Sequence, residues 1–392
     1  LNDGGILLDT SPLNRFIAFD ETEGRICCEA GVRLDAILGL IVPRGWFLPV
    51  VPGTKHITLG GAIANDVHGK NHHVEGTFGC HVLRLELLRT DGTRLTCSHA
   101  QNQEMFQATV GGLGLTGLIL WAEIRLKRLE SARIDSETLR FENLEEFFLR
   151  SGEMDQQYEY TVAWVDCLSR GHRLGRGLLI GGNHAKDHGG KKPALHTVRR
   201  VDFRMDAPSL LLNSLTIKLF NSIFFHKQFR KSIRQRVHYD PFFFPLDAIG
   251  DWNRLYGKRG FFQYQCVVPD GAGQTPMFRI LETIAESGLG SFLSVMKKFG
   301  DRESPGLLSF PRKGVTLALD FPNHGRATLE LFEKLDQIVL EVGGAVYPAK
   351  DARMSSESFQ RFFPQWRSLE RWRDPCFSSS FWRRVASKKK DV

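Results

Sequence analysis

Apolar and polar positions alternate with a period of two along several short stretches of this 392-residue chain. Residues 83–88 are such a run, and Asp91-Gly92 after it supplies a hairpin turn. Residues 16–19 and 25–28 read as strands on either side of a turn at 20–24, and 118–126 as a further strand. The spacing at 34–40 and 102–108 predicts short helices instead. From about residue 128 the pattern changes. Strands are predicted at 158–166, 175–182, 260–268 and 314–321, and a helix at 331–342. The polar, Gly-rich stretch 183–192 reads as a mobile loop. The tail after Asp351, rich in Arg, Trp and Phe and ending in Lys388-Lys-Lys390, reads as frayed.

One apolar stretch stands apart. Residues 207–225 are broken only by polar positions such as Asn213, Lys218 and Asn221, too often for a bilayer span. A basic cluster follows, from His226 and Lys227 to Arg230, Lys231, Arg234 and Arg236. Such a pair of features suits either an anionic membrane surface or lipid tail, or a core helix followed by a solvated basic helix.

Two glycine runs carry the candidate chemistry. In residues 51–73, Pro52-Gly53-Thr54 is a turn, because Pro fixes φ and Gly allows φ > 0. Gly60-Gly61-Ala62 offers bare backbone that a diphosphate or a flat ring can approach, and His68-Gly69-Lys70 sets a titratable ring and a cation beside it. These residue types suit a cofactor bed, and equally a Gly-rich surface loop with incidental histidines. The second run, residues 108–119, contains Gly111, Gly112 and Gly114. A dinucleotide fingerprint needs a strand before and a helix after. Here a helix precedes and a strand follows, which suits a fold whose strands and loops wrap a flavin.

Bulk properties narrow the field. The length favours two domains. A net charge of +8 favours anionic partners, and with no zinc-finger, RNP or basic-zipper pattern nucleic acid ranks last. Seven scattered cysteines without a C-x-x-C pair argue against a disulfide framework and for a reducing cytoplasm. No metal-ligand spacing is present, since the adjacent His72 and His73 would diverge in a strand.

The series of motifs resembles the vanillyl-alcohol oxidase/p-cresol methylhydroxylase superfamily of FAD-linked oxidases. Within it, the series is closest to the decaprenylphosphoryl-β-D-ribose 2-oxidases and their bacterial relatives. Beyond the two runs, the likeness takes in residues 252–257, 262–265, 295–300, 319–322 and 343–353. It implies an α+β chain: a PCMH-type FAD-binding domain at 1–127, a second α+β substrate (cap) domain at 128–344, and a segment at 345–392 that returns to the first. Leu1-Asn-Asp-Gly-Gly5 resembles the tail of the family's first phosphate loop, so the sequence reads as N-terminally truncated. The usual attachment histidine lies upstream of that point, and the closest resemblance favours non-covalent FAD.

The family pattern sets Pro52, Gly53, Thr54, Thr58, Gly60, Gly61, Asp66, His68 and Gly69 against FAD. Gly111, Gly112, Gly114, Thr116, Gly117 and Ile119 of the second run, and Tyr347, join them. It makes Lys350 the active-site cation, His68 the group that positions the substrate hydroxyl or helps accept its proton, and Tyr347 a flavin neighbour. Lys70, Gln263, Gln265, Lys297 and Lys350 match substrate positions. The family's pocket cysteine is replaced by Ala318, which predicts resistance to thiol-directed inhibitors. The implied reaction oxidises a secondary sugar hydroxyl, on a polyprenyl-phosphate pentose, to the 2-keto form, with a short-chain reductase partner completing an epimerisation. A D-arabinono-1,4-lactone or alditol-type oxidase using oxygen is the nearest alternative, and a non-catalytic membrane-surface binding protein the alternative of another class. The expected location is cytoplasmic, with peripheral contact at the inner membrane face.

Overall fold

The computed structural model describes residues 2–186, 201–202, 206, 213–351 and 353–386. Two antiparallel sheets organise them. The first runs in the order Phe16–Asp20, Arg25–Glu29, Leu118–Arg125, Val82–Leu88, Arg94–Ser98. The hairpin Val82–Leu88/Arg94–Ser98 closes through Gly92 at φ 84°, as the Asp-Gly pair requires. Helix Leu34–Ile41 buries Leu34, Ile37, Leu38 and Ile41, the i, i+3, i+4, i+7 stripe of an amphipathic helix.

The second sheet has eight strands, in the order Ser232–His238, Arg133–Phe141, Gly177–His184, Tyr160–Val165, Ser294–Phe299, Gly314–Pro322, Phe261–Pro269, Ala345–Val346. Successive side chains on a strand point to opposite faces, and directly paired residues share a face. One face carries Tyr264, Cys266, Met296, Leu317, Leu319 and Phe321, packed in one core with helices Leu144–Gln157, Thr275–Ser287 and Arg326–Glu341. The pairings Gln263↔Asp320, Gln265↔Ala318, Val295↔Ala318 and Lys297↔Thr316 place the polar residues of these strands on the other face. Sequence alternation thus separates a dry side from a chemical one.

Several expectations need correction. The helix at 331–342 begins earlier, as Arg326–Glu341. The strand at 175–182 is shifted to Gly177–His184. His72 and His73 lie in the short helix His72–Glu75, not in a strand; His72 Nδ1 accepts from Gly300 N–H at 3.2 Å, and His73 Nε2 lies 3.1 Å from Tyr158 O. The basic cluster is not a solvated helix. Its second half is the edge strand Ser232–His238, because Arg234 and Arg236 pair across the ladder with Glu137 and Asp135 at 3.2 and 2.5 Å. The tail is not frayed as far as Ala386: helices Ser356–Phe362, Trp366–Trp372 and Ser380–Val385 bury Phe359, Phe362, Leu369 and Val385 completely. Lys388–Lys390, residues 187–192 of the expected loop and residues 207–212 of the apolar stretch lie outside the described residues.

The rest of the apolar stretch is helix Ser214–His226. Its polar interruptions have separate jobs. Asn213 caps the N-terminus in a reciprocal pairing with Thr216. Asn221 is fully buried and donates to Asp166 at 3.0 Å, and Asp166 also pairs with Arg176 at 3.0 Å. The opposite face is apolar and open, with Leu215 75%, Leu219 60% and Ile223 62% exposed. Among the described residues no helix is long and apolar enough to cross a membrane.

Candidate active site

The first glycine run becomes a turn and a one-and-a-half-turn helix, Leu59–Ala64. Thr58 caps it by accepting from Gly61 N at 3.1 Å. Gly60 N donates to Ala30 O at 2.8 Å, and a Cβ on Gly60 would sit 3.0 Å from the Ala30 Cβ, so the turn lies flush on the end of strand Arg25–Glu29. In Pro52-Gly53-Thr54, Gly53 faces open space, and Thr54 Oγ1 accepts from His56 N at 3.2 Å.

Tertiary hydrogen bonds bring the second run onto the first. Gly111 N donates to Ile63 O at 2.9 Å, and Leu113 N to Ala64 O at 2.8 Å. Gly111 and Gly114 have φ of 68° and 72°, and a Cβ on Gly112 would fall 2.0 Å from Ala108 O, so the turn accepts glycine only. Beyond Gly114, as beyond Gly53, a Cβ would meet nothing. Thr116 bonds Thr109 through their hydroxyls at 2.9 Å, Gly117 lies against Leu88 O, and Ile119 is buried at the start of strand Leu118–Arg125. A bed of close-set backbone with open glycines on its rim fits a flat, diphosphate-linked cofactor.

Asp66 behaves differently from its neighbours. It sits at φ 42° and is fully buried, accepting from Gly79 N at 2.8 Å and from the hydroxyls of Ser304 and Ser309. Its carboxylate therefore ties the 304–309 segment to the glycine bed. Tyr347 adds a second tie, donating to Asn65 O at 2.9 Å and stacking on Phe310 at 4.7 Å between centroids.

The polar sheet face meets this bed at His68. Gln265 Nε2 lies 2.9 Å from His68 Nε2, and Lys297 Nζ 3.1 Å from His68 Nδ1 and 3.3 Å from Gly69 O. Phe299 packs edge-on against the ring at 4.8 Å. A small cavity lined by Gln263, Gln265, Tyr347 and Lys350, among others, opens beside it. Lys70 points away toward Phe242 O, with its amine 4.8 Å from the Phe242 ring.

Known proteins are similar to this chain in sequence. Residues 1–98 match the FAD binding domain family. Over 98% of its length the chain is 37% identical to decaprenylphosphoryl-beta-D-ribose oxidase of Mycolicibacterium smegmatis, covering 85% of that protein. The chain belongs to the decaprenylphosphoryl-β-D-ribose oxidase family. It is also 31% identical to an uncharacterized Streptomyces coelicolor protein, over 90% of this chain and 100% of that one. L-gulonolactone oxidase of Mus musculus is 30% identical over a shorter stretch, 30% of this chain and 26% of that protein. The protein is thus an FAD-dependent oxidoreductase with an α+β, PCMH-type FAD-binding fold, and the non-catalytic reading is set aside.

In this oxidase the site gathers basic side chains whose burial disfavours their charged forms. Burial, with Lys350 and Lys70 nearby, brings Lys297 down to about 7. Burial alone brings Lys70 to about 7. Burial also lowers Lys350, while Asp320 pulls it back up. Burial and the charge of Lys297 hold His68 well below the usual imidazole range. The carboxylate facing them, Asp320, is almost fully buried and raised by burial, with Lys350, Gln263 and Trp252 opposing the rise. Gln263 Nε2 donates to it at 2.9 Å, and Trp252 Nε1 approaches at 3.4 Å.

Asp320, Thr316 and Phe299 were missed as site residues by sequence reasoning. Asp320 carried a usable signal: an acid within a strand otherwise nearly all apolar. Among the described residues no group of three or more His, Cys, Asp or Glu could hold a metal ion.

Proposed function

We propose that this enzyme oxidises a secondary hydroxyl of a polyprenyl-phosphate pentose to the 2-keto form, as the first half of an epimerisation that a short-chain reductase completes. The observation that carries the reading is the pair of basic side chains Lys297 and Lys350, which meet one imidazole and one carboxylate at the polar sheet face. Lys350, and Lys297 once it has taken up a proton, suit a substrate and a reduced cofactor that both carry negative charge. FAD, held by the two glycine runs, supplies the two-electron oxidant when bound. Lys350 stabilises negative charge next to it, Tyr347 walls the site, and Gln263 and Asp320 orient the sugar hydroxyls.

The division of labour follows. Residues 1–127 form the bed, 128–344 the cap, and 345–392 return to the bed. The return is supported by Thr90 Oγ1 donating to Asp374 at 2.7 Å and by Arg383 donating to Asp3 O at 2.9 Å.

The lipid part of the reading rests on helix Ser214–His226. Its open apolar face is flanked by exposed Lys218, Lys227 and Arg230, which suits an anionic membrane surface. An aromatic track leads inward from it: Phe220 to Phe292 at 5.6 Å, Phe292 to Trp252 at 5.6 Å, and Trp252 to Asp320. We expect the double change Leu219→Asp, Ile223→Asp to reduce cosedimentation with phosphatidylglycerol vesicles by about tenfold or more. Unchanged sedimentation removes the helix from the reading.

The deciding experiment is an anaerobic absorbance titration of the purified flavoprotein. Bleaching of the flavin bands by a polyprenyl-phosphoryl pentose supports the reading. Bleaching only by free lactones or polyols makes the enzyme a lactone or alditol oxidase, as a relative named putative D-arabinono-1,4-lactone oxidase from Neurospora crassa suggests at 26% identity over 40% of this chain.

A further inference from the structure

The hydrogen bonds around His68 form a chain whose polarity can be read from its far end. Thr316 has one hydroxyl proton and gives it to Cys266 O at 2.8 Å. Its oxygen is therefore the acceptor for Gln265 Nε2 at 3.1 Å. The same amide nitrogen has one proton left, and it faces His68 Nε2 at 2.9 Å. Turning the amide over would set its oxygen against Thr316 Oγ1, whose proton is already committed, and would leave a buried pair unmet. His68 thus accepts at Nε2, and a neutral imidazole that accepts at Nε2 carries its proton on Nδ1. That N–H points at Lys297 Nζ, 3.1 Å away. An ammonium there would oppose proton to proton. The chain closes only when the lysine nitrogen offers a lone pair.

We infer that Lys297 rests as an uncharged amine and is the group that takes the proton released by the substrate hydroxyl, with His68 and Gln265 as positioning residues that hold it in that state. The first half stands on the hydrogen bonds alone, and the second rests on the alcohol-oxidase reading above. In the reaction, the electron pair of the O–H bond stays to complete the C=O bond. The proton goes to Lys297 Nζ, and the carbon-bound hydrogen leaves with its electron pair to FAD, the oxidant. The ammonium so formed has Gly69 O at 3.3 Å to donate to. The Gly69 backbone is also within reach of the His68 ring, so the Nδ1 proton has an acceptor once the lysine lone pair is used.

The charged and titratable surroundings agree. Lys297 is faced by His68 and Lys70 from the glycine-run segment, by His72 from the helix after it, and by Lys350 from the segment following strand Ala345–Val346. Burial brings His72 down to about 3. The carboxylate of the site, Asp320, acts on Lys350. Nothing in this set favours a charge on Lys297, and a lysine at about 7 is half free amine at neutral pH.

Two variants and one spectrum test the inference. Lys297→Arg keeps a cation but cannot give up its proton. It should lower kcat by about a hundredfold or more while keeping the flavin bands and a KM within a few-fold. Turnover within about threefold of wild type would overturn the inference. Gln265→Glu reverses the chain, because a carboxylate accepts from Nε2–H and leaves Nδ1 as an acceptor that favours the ammonium. In wild type kcat/KM should rise with pH along a limb near the lysine value of about 7. Gln265→Glu should move that limb up by more than one unit, whereas Lys70→Met, which takes away one neighbouring positive charge, should raise it only slightly and leave the limb in place. A limb that stays in Gln265→Glu, or one that disappears with Lys70, sinks the assignment. Independently of turnover, nitrogen NMR of histidine-labelled protein reads the His68 tautomer. The Nδ1–H form is expected, and the Nε2–H form would overturn the inference even if no substrate has been found. Conversely, an Nδ1–H tautomer in a protein that oxidises no sugar alcohol would remove the proposed function and leave the resting amine standing.

Discussion

Lys350→Met is expected to lower kcat by about 10²–10³-fold, the loss seen when one preorganised charge is removed from a developing anion. Lys350 is half-buried, lines the cavity with Gln263, Gln265 and Tyr347, and lies close enough to Asp320 for each to shift the other's titration. The methionine fills the same space without charge. Its effect should therefore fall on kcat more than on KM, and flavin absorbance should remain. The pH profile should change too. Lys350 opposes the rise that burial imposes on Asp320. Without it the carboxyl holds its proton to higher pH, so any activity that needs the carboxylate should appear only at higher pH than in wild type. Lys350→Arg restores the charge and should recover part of the loss. Equal kcat in all three proteins would remove Lys350 from the machinery.

The largest expected loss of stability comes from Arg353→Ala. Arg353 grips the buried Asp336 with two hydrogen bonds, at 2.5 and 2.8 Å, and Tyr264 donates to the same carboxylate at 3.1 Å. All three sit where helix Arg326–Glu341 meets strand Phe261–Pro269 and the segment after Lys350. Removing one partner of a buried pair leaves the other charge uncompensated, at about 3–5 kcal/mol. For a chain of this size that should appear as a fall in Tm of several degrees, read by calorimetry or circular dichroism. Because the pair supports the floor of the cavity, flavin bands should weaken in parallel. Asp336→Asn with Arg353→Met removes both charges and should recover much of the stability. If the single variant melts like wild type, the pair contributes nothing measurable.

Much of this protein was legible in its sequence because the relevant physics is local. Asp91-Gly92 specifies a hairpin turn wherever it occurs, and Gly112 sits where any side chain would strike the backbone of its own turn. The strand expected at 260–268 carries Gln263 and Gln265 between apolar neighbours, an alternation that the sheet turns into a dry face and a polar face. Where sequence reading went astray, neighbours distant in the chain decided. Arg234 and Arg236 form a strand because Glu137 and Asp135 stand opposite, roughly a hundred residues earlier, and the aromatic tail is ordered because a core exists for it to enter.

The site divides in the same way. Residue types and spacing determined which side chains are available: glycines that permit close approach, lysines that can titrate, a histidine that can bond on both sides. The tertiary structure alone decided what those groups are. Lys297 and His68 are 229 residues apart, His68 and Gln265 197, and Gln265 and Thr316 51. No rule of sequence periodicity reaches across such separations. The protonation state of a lysine is set by what surrounds its nitrogen, and only the folding of one sheet face onto the glycine bed supplies those surroundings.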